Sequence, residues 1–163
     1  LNFKLFTQTL IVVGFTFLAV SGVSVAQEEN IPPIEVGVKV PLSGFMSVEV
    51  NDKLRLEASA VLPGFSAPLV DFEALLTAKF YPFGTISLQD IPTNIFIGGG
   101  GLFISSLGNF IPGFVGTIGA DFIPPGDLPL IAFLEFSAAM PMTEGSTSIV
   151  FSLSVGGRYS LKK

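Results

Sequence analysis

Lys53-Leu54-Arg55-Leu56-Glu57-Ala58-Ser59-Ala60 is the stretch that decides the fold. Lys53, Arg55, Glu57 and Ser59 fall on one side of an extended chain, and Leu54, Leu56, Ala58 and Ala60 on the other, because successive side chains of a strand point to opposite faces. A helix would scatter the same charges around its axis. The period of two recurs along the chain. Glu35 and Lys39 oppose Ile34, Val36, Val38 and Val40; Asp71, Glu73, Thr77 and Lys79 oppose Phe72, Ala74, Leu76, Ala78 and Phe80. Near the end, Ser148, Ser152, Ser154, Arg158 and Ser160 oppose Ile149, Phe151, Leu153, Val155, Tyr159 and Leu161.

Turn residues divide these ribbons. Pro41-Leu42-Ser43-Gly44 closes the first, and Val50-Asn51-Asp52 suits a three-residue hairpin loop that would set Glu49 opposite Lys53. Pro63 to Pro68, Pro82 to Pro92, Gly108 to Pro112, Ile123 to Asp127 and Pro141 to Gly145 read as the other connections. The strands predicted between them are 34–41, 45–50, 53–62, 69–81, 93–104, 113–122, 129–140 and 147–161. Eight is an even number, as single-chain bacterial barrels require.

Composition agrees. Of the 163 residues 49% are hydrophobic and 13% charged, against about 25% charged in ordinary soluble domains. The mean hydropathy of +0.70 points toward lipid. With 18 Gly and 12 Pro in the chain, a bundle of membrane helices is a poor fit. A closed barrel is the other way to cross a bilayer with the backbone satisfied. The chain has no Cys and no His, so disulfides, a thiolate nucleophile and the commonest general base and metal ligand are excluded. A net charge of −5 without a basic run speaks against a nucleic-acid partner.

The N-terminal segment has the parts of an export signal: Lys4, an apolar stretch from Leu10 to Val20, and Ser24-Val25-Ala26 with small residues before a cut. Cleavage is expected after Ala26, leaving 27–33 as a periplasmic tail and 34–163 as the barrel. An uncleaved anchor helix is the alternative, but the apolar stretch is shorter than the roughly 20 residues a span needs.

Charge decides which face meets lipid. The dry faces carry no charge along whole strands, and Phe72, Phe80, Phe114, Phe122 and Tyr159 sit on them near strand ends, where interfacial girdles belong. The wet faces carry both signs: Glu35, Glu49, Glu57, Asp71, Glu73, Asp121 and Glu135 against Lys39, Lys53, Arg55, Lys79 and Arg158. Side chains largely fill the interior of an eight-stranded barrel, so these charges are expected to pair inside while the dry faces meet lipid. The run from Ile91 to Ala120 has no charge and sets Phe96, Leu102 and Val115 on the lumen side. Gly98-Gly99-Gly100-Gly101 and Pro112-Gly113 argue against a buried helix there, and the glycines would make room for bulky neighbours.

These residues resemble a family. Glu35-Val36-Gly37-Val38-Lys39 as an opening strand, Ser47 to Glu57 as a tight periplasmic hairpin, and Leu76 to Pro82 leading to Ile95-Phe96-Ile97-Gly98-Gly99-Gly100 are similar to the small eight-stranded outer-membrane barrels of the outer-membrane protein A type. The resemblance implies an all-β, antiparallel, up-and-down transmembrane barrel in the bacterial outer membrane, inserted by the barrel-assembly machinery. Such barrels end on an aromatic residue, whereas Tyr159-Ser160-Leu161 is followed here by Lys162-Lys163.

Candidate sites are few. Arg55, Glu57, Glu73, Lys79 and Arg158 form either a gated ion path or a paired plug, and the small lumen favours the plug. Asp71 and Glu73 lie two apart, a spacing that alternation supplies without catalysis. Gly98 to Gly101 lacks the Lys-Ser/Thr of a phosphate loop. No catalytic, cofactor or metal residue is assigned and no cofactor is expected. The surface connections at 42–44, 63–68, 105–112 and 141–146 are short for a receptor or adhesin, and Thr85 to Asp90 reads as a plain periplasmic loop, with contact to an unknown periplasmic partner as the alternative. The expectation is a monomeric, non-enzymatic outer-membrane barrel with a structural or envelope-integrity role, in contact with lipid. A soluble lipocalin-like carrier of an apolar ligand and a narrow pore are the alternatives.

Overall fold

The alternating segments become strands in the computed structural model, which describes residues 33–40, 43–61, 70, 72–125, 129–143 and 146–161. In chain order among the described residues these are β1 (Ile34–Val40), β2 (Ser43–Asn51), β3 (Leu54–Val61), β4 (Phe72–Phe80), β5 (Ile86–Leu88), β6 (Ile91–Ser106), β7 (Asn109–Phe122), β8 (Leu130–Thr143), β9 (Ser146–Thr147) and β10 (Val150–Ser160). Eight of them, all but β5 and β9, pair antiparallel with their neighbours, and β10 pairs with both β8 and β1. The sheet therefore closes on itself, and the eight-stranded antiparallel barrel expected from the sequence is the observed fold. Closure satisfies the backbone edges that an open sheet would expose. The expected export signal and tail up to Pro32, the expected connection at 63–68, residues 126 and 127 of the 123–127 connection, Asp71 and Lys162-Lys163 lie outside the described residues.

Because the number of barrel strands is even, β1 starts and β10 finishes at the same end, here called proximal; the other is distal. The faces separate as the charge pattern demands. Glu35, Lys39, Arg55, Glu57, Lys79, Asp121, Glu135 and Arg158 are all buried, while Val38, Leu76, Phe80, Ile97, Phe114, Ile118, Phe136 and Tyr159 are exposed on the outside. Phe96, Leu102 and Val115 are buried in the lumen, as their register parity predicts.

Besides Ser43 and Gly44, which the turn signals set in a connection but which belong to β2 and pair with Lys39 and Val38, the connections differ from the sequence reading in four places. First, β6 runs to Ser106 and β7 begins at Asn109, so the expected 105–112 connection shrinks to a two-residue turn at Leu107 (φ 51°) and Gly108 (φ 81°). Two positive φ values match the right-handed twist of the flanking strands, and a glycine adopts the second without strain. Pro112 is tolerated inside β7 because pairing with β8 begins only at Gly113. Second, Glu49 opposes Arg55, not Lys53. A bulge between Glu49 and Asn51 absorbs one residue, Asn51 faces Leu54, and the Asn51 carboxamide accepts a 2.9 Å bond from the Lys53 N–H. Third, the 82–92 connection contains β5, which pairs with the start of β6 around a turn at Gln89 (φ 50°) and Asp90 (φ 64°). Fourth, β8 continues to Thr143 and pairs there with β9, so residues 141–143 and 146 of the expected connection are strand, and the last barrel strand starts at Val150.

Large lumen side chains face glycines across the ladder. Phe45 pairs with Gly37, Phe96 with Gly119, Phe133 with Gly156 and Leu102 with Gly113. A Cβ on Gly37, Gly119 or Gly156 would overlap the partner's ring, so each phenyl lies over its glycine and turns a local void into packed interior. Gly100 meets a different limit: a Cβ there would run into the Leu76 carbonyl. Gly116, on the outer face of β7, has open space where its Cβ would be. Gly119→Ala should therefore destabilise the barrel by about 1–3 kcal/mol through overpacking, whereas Gly116→Ala should stay within about 0.5 kcal/mol. Urea unfolding of the two variants in detergent micelles measures the difference; equal effects would contradict the packing described.

Candidate functional site

Alternation places one inward side chain every second residue, and the closed barrel brings those of distant strands to the same height. Two rings of charge result. In the first, Lys39 from β1 and Lys79 from β4 alternate with Glu57 from β3 and Glu135 from β8. Lys39 Nζ lies 2.7 Å from Glu57 Oε1 and 3.1 Å from Glu135 Oε1. Lys79 Nζ lies 2.6 Å from Glu57 Oε2 and 2.6 Å from Glu135 Oε2. Each ammonium thus bridges both carboxylates, and the ring is neutral.

The second ring sits on the proximal side and uses Glu35 from β1, Arg55 from β3, Asp121 from β7 and Arg158 from β10. Arg158 holds Asp121 in a bidentate grip, donating from Nη1 to Oδ1 at 3.0 Å and from Nη2 to Oδ2 at 2.6 Å. Its Nε lies 2.9 Å from Glu35 Oε2. Arg55 closes the circuit, with Nε 3.3 Å from Glu35 and Nη1 3.3 Å from Asp121. Tyr81, just beyond β4, donates to Asp121 at 2.8 Å and accepts from Arg55 Nη1 at 2.7 Å. Ser47 donates to Glu35 at 3.1 Å. Arg55 also reaches Glu49, 3.6 Å away at the wetter rim. The Nε atoms of Arg55 and Arg158 and Oε2 of Glu135 lie off the hydrogen-bond direction, so their contacts are ionic at these distances.

Aromatic rings fill the space between. Lys79 Nζ stands 4.8 Å from the Phe96 ring centroid and 5.7 Å from that of Phe133; Lys39 stands 5.4 Å from Phe45, and Arg55 5.2 Å from Tyr81. Such contacts favour a cation most where water is displaced. Distal to the first ring come the buried hydroxyls of Ser43, Ser59, Thr77, Thr117, Ser137 and Ser154, then Leu102 and Val115.

Of the candidates named from the sequence, Arg55, Glu57, Lys79 and Arg158 meet in these rings and Glu73 does not. Glu73 opposes Val61 and Ile104 in the distal half of the barrel, and no ion pair of it is seen among the described residues. Asp71 lies outside them, so the Asp71–Glu73 carboxylate pair is not a described arrangement. Alternation puts Glu35, Lys39, Asp121 and Glu135 on the wet face without assigning them to the cluster; only the shear of the closed barrel shows which strands meet at one height. Tyr81 ends the predicted 69–81 strand and shares the parity of Lys79, the one signal that could have placed it in the lumen. Gly98 to Gly101 lie within β6 and pair with β4 and β7.

Each of the four ring carboxylates is contacted by two cations. The arrangement is suited to tying six strands together and to blocking the lumen. Breaking a buried pair from one side leaves its partner uncompensated, at about 3–5 kcal/mol. Lys79→Met should cost this much, Glu57→Gln a similar amount, and the double variant clearly less than their sum. A double-mutant cycle by urea unfolding in micelles measures it, and additive effects would show that the two side chains do not share a ring.

No family model and no curated protein sequence matches the chain. Among solved structures, the chain is similar to the crystal structure of the N-terminal β-barrel domain of Pseudomonas aeruginosa OprF, with a TM-score of 0.47 and 13% sequence identity over 79% of this chain and 96% of that one.

Proposed function

We propose that this protein is a non-enzymatic outer-membrane β-barrel with a structural or envelope-integrity role, inserted as a monomer with its lumen plugged by paired charge. One observation carries the reading: the outer face of the described strands is uncharged while two neutral ion-pair rings are buried inside. In water this arrangement is inside out, because it exposes Val38, Ile97, Phe114, Ile118, Phe136 and Leu153 and hides four cations. In a bilayer both faces are satisfied.

Strand length supports the same reading. A transmembrane strand needs about 9–11 tilted residues; β2 and β4 have 9 each, β10 has 11, and β6, β7 and β8 have 16, 14 and 14, while β1 and β3, with 7 and 8, each border residues outside the described ones. The carrier alternative requires an apolar cavity, yet Leu54 and Leu56 point outward and Arg55 and Glu57 inward. The pore alternative requires a continuous aqueous path, which the two rings, Phe45, Phe96 and Phe133 interrupt. Lipid is the partner the surface fits, and the proximal end is assigned to the periplasm.

The test is cell fractionation with gel migration before and after heating. The protein is expected in the outer-membrane fraction, with a folded band that shifts on boiling; recovery as a detergent-free soluble monomer would refute the proposal. Ile118→Arg on the outer face should lower stability in lipid vesicles by about 2–4 kcal/mol. Planar bilayers holding the wild-type barrel should show no steady conductance, and a stable open channel would favour the pore.

A further inference from the structure

One element takes no part in closing the barrel. β4 pairs with β6 only between Phe80↔Ile97 and Phe72↔Ser105, so the proximal part of β6 would have a bare edge on that side. β5 covers it through Ile86↔Thr93, Ser87↔Pro92 and Leu88↔Ile91. Edge protection accounts for the backbone of β5. It does not account for the side chains.

Paired residues of a sheet share a face, so Ile86 and Leu88 lie on the side of Thr93 and Ile91. Counting by twos along β6, that is also the side of Ile95 and Ile97, the outward face of the barrel, on which Thr93 itself is covered and only 1% exposed. The polar residues are elsewhere: Ser87 takes the opposite face, and Gln89 and Asp90 form the tip. Leu88 is 53% exposed, Ile86 40%, Ile91 41% and Phe83, in the approach to β5, 60%. A hairpin in bulk water would gain nothing from such a face. β6, with 16 residues, also outruns the hydrocarbon thickness that β4 matches with 9.

We propose that the β5–β6 hairpin is an interfacial foot, lying in the headgroup and upper acyl layer of the leaflet at the proximal end, with Phe83, Ile86, Leu88 and Ile91 as its lipid contacts. The inference rests on the membrane reading above. Lipid is the occupant because Ile91 and the β5 residues beside it share the parity of Ile95 and Ile97 on the face assigned to hydrocarbon, with the buried Thr93 the one polar side chain between them. The foot is on one side of the barrel only, so it fixes the barrel's depth and its tilt about the side where β4 ends early.

The chain contains no Trp, which makes single-Trp reporters clean. Leu88→Trp reports the foot and Leu76→Trp, on the outer face of β4, reports the barrel wall; Phe83→Trp, an aromatic exchange, is a second reporter of the foot. Each variant is folded into phosphatidylcholine–phosphatidylglycerol vesicles whose acyl chains are brominated either near the glycerol or near the methyl end. Leu88→Trp and Phe83→Trp are expected to emit blue-shifted light and to be quenched more by the shallow bromines than by the deep ones. Leu76→Trp should be quenched strongly by the deep bromines. If Leu76→Trp is quenched while both foot reporters emit as in water, the foot is refuted and the membrane barrel stands. Blue-shifted foot emission that no brominated lipid quenches would overturn the proposal in favour of a protein contact. Absence of quenching at Leu76→Trp would overturn both readings.

Discussion

Four cations, Lys39, Arg55, Lys79 and Arg158, must find carboxylates inside a cylinder whose outside is apolar. Everything else in the structure is subordinate to that requirement. A slip of one residue in any strand would turn its inner set outward, and a Lys or Arg at mid-membrane costs about 2–4 kcal/mol. Register is therefore set by penalty as much as by attraction. The rings themselves need not add net stability, since desolvation offsets much of the Coulomb gain. Their contribution is to make one register acceptable. β1 shows the economy of the device: Glu35 serves the proximal ring and Lys39 the next, while on β3 Arg55 and Glu57 serve the same two rings with the signs reversed.

Filling the cylinder is the second constraint. Charged side chains alone would leave gaps beside their aliphatic stems, and Phe45, Phe96 and Phe133 occupy these while offering their faces to the ammonium groups. Each phenyl needs room, which Gly37, Gly119 and Gly156 on the paired strand provide. The edge-on contact of Phe45 with Phe133, at 5.5 Å, links two of these units across the lumen. Ionic and aromatic packing are thus one arrangement, and a change in either disturbs the other.

Much of this is legible in the sequence, for a physical reason. Alternation is a property of single strands, so the strand count, the wet and dry faces and the lumen placement of Phe96, Leu102 and Val115 can be read locally. Which wet residues of different strands meet depends on the shear of the closed sheet, a property of all strands together; Glu73 shares the parity of Lys79 but lies six residues along the same strand, about 20 Å away. Connections read as longer than they are because Gly108 and Pro112 look like loop residues, yet one fits a tight turn and the other a position of β7 that pairs with β6 but not with β8. Side chains accepting φ above zero at Gln89 and Asp90 hide the hairpin of β5, since neither residue is a glycine.

The central claim is that hydrocarbon meets one face of each strand and the ionic interior the other. With no native Cys, single cysteines at Phe114, Val115, Gly116, Thr117 and Ile118 of β7 can each carry a spin label in the vesicle-inserted protein. The account predicts that lipid-dissolved oxygen relaxes the labels at 114, 116 and 118 strongly and those at 115 and 117 weakly. Strong relaxation at 115 and 117 with weak relaxation at the other three, or no alternation at all, would contradict it.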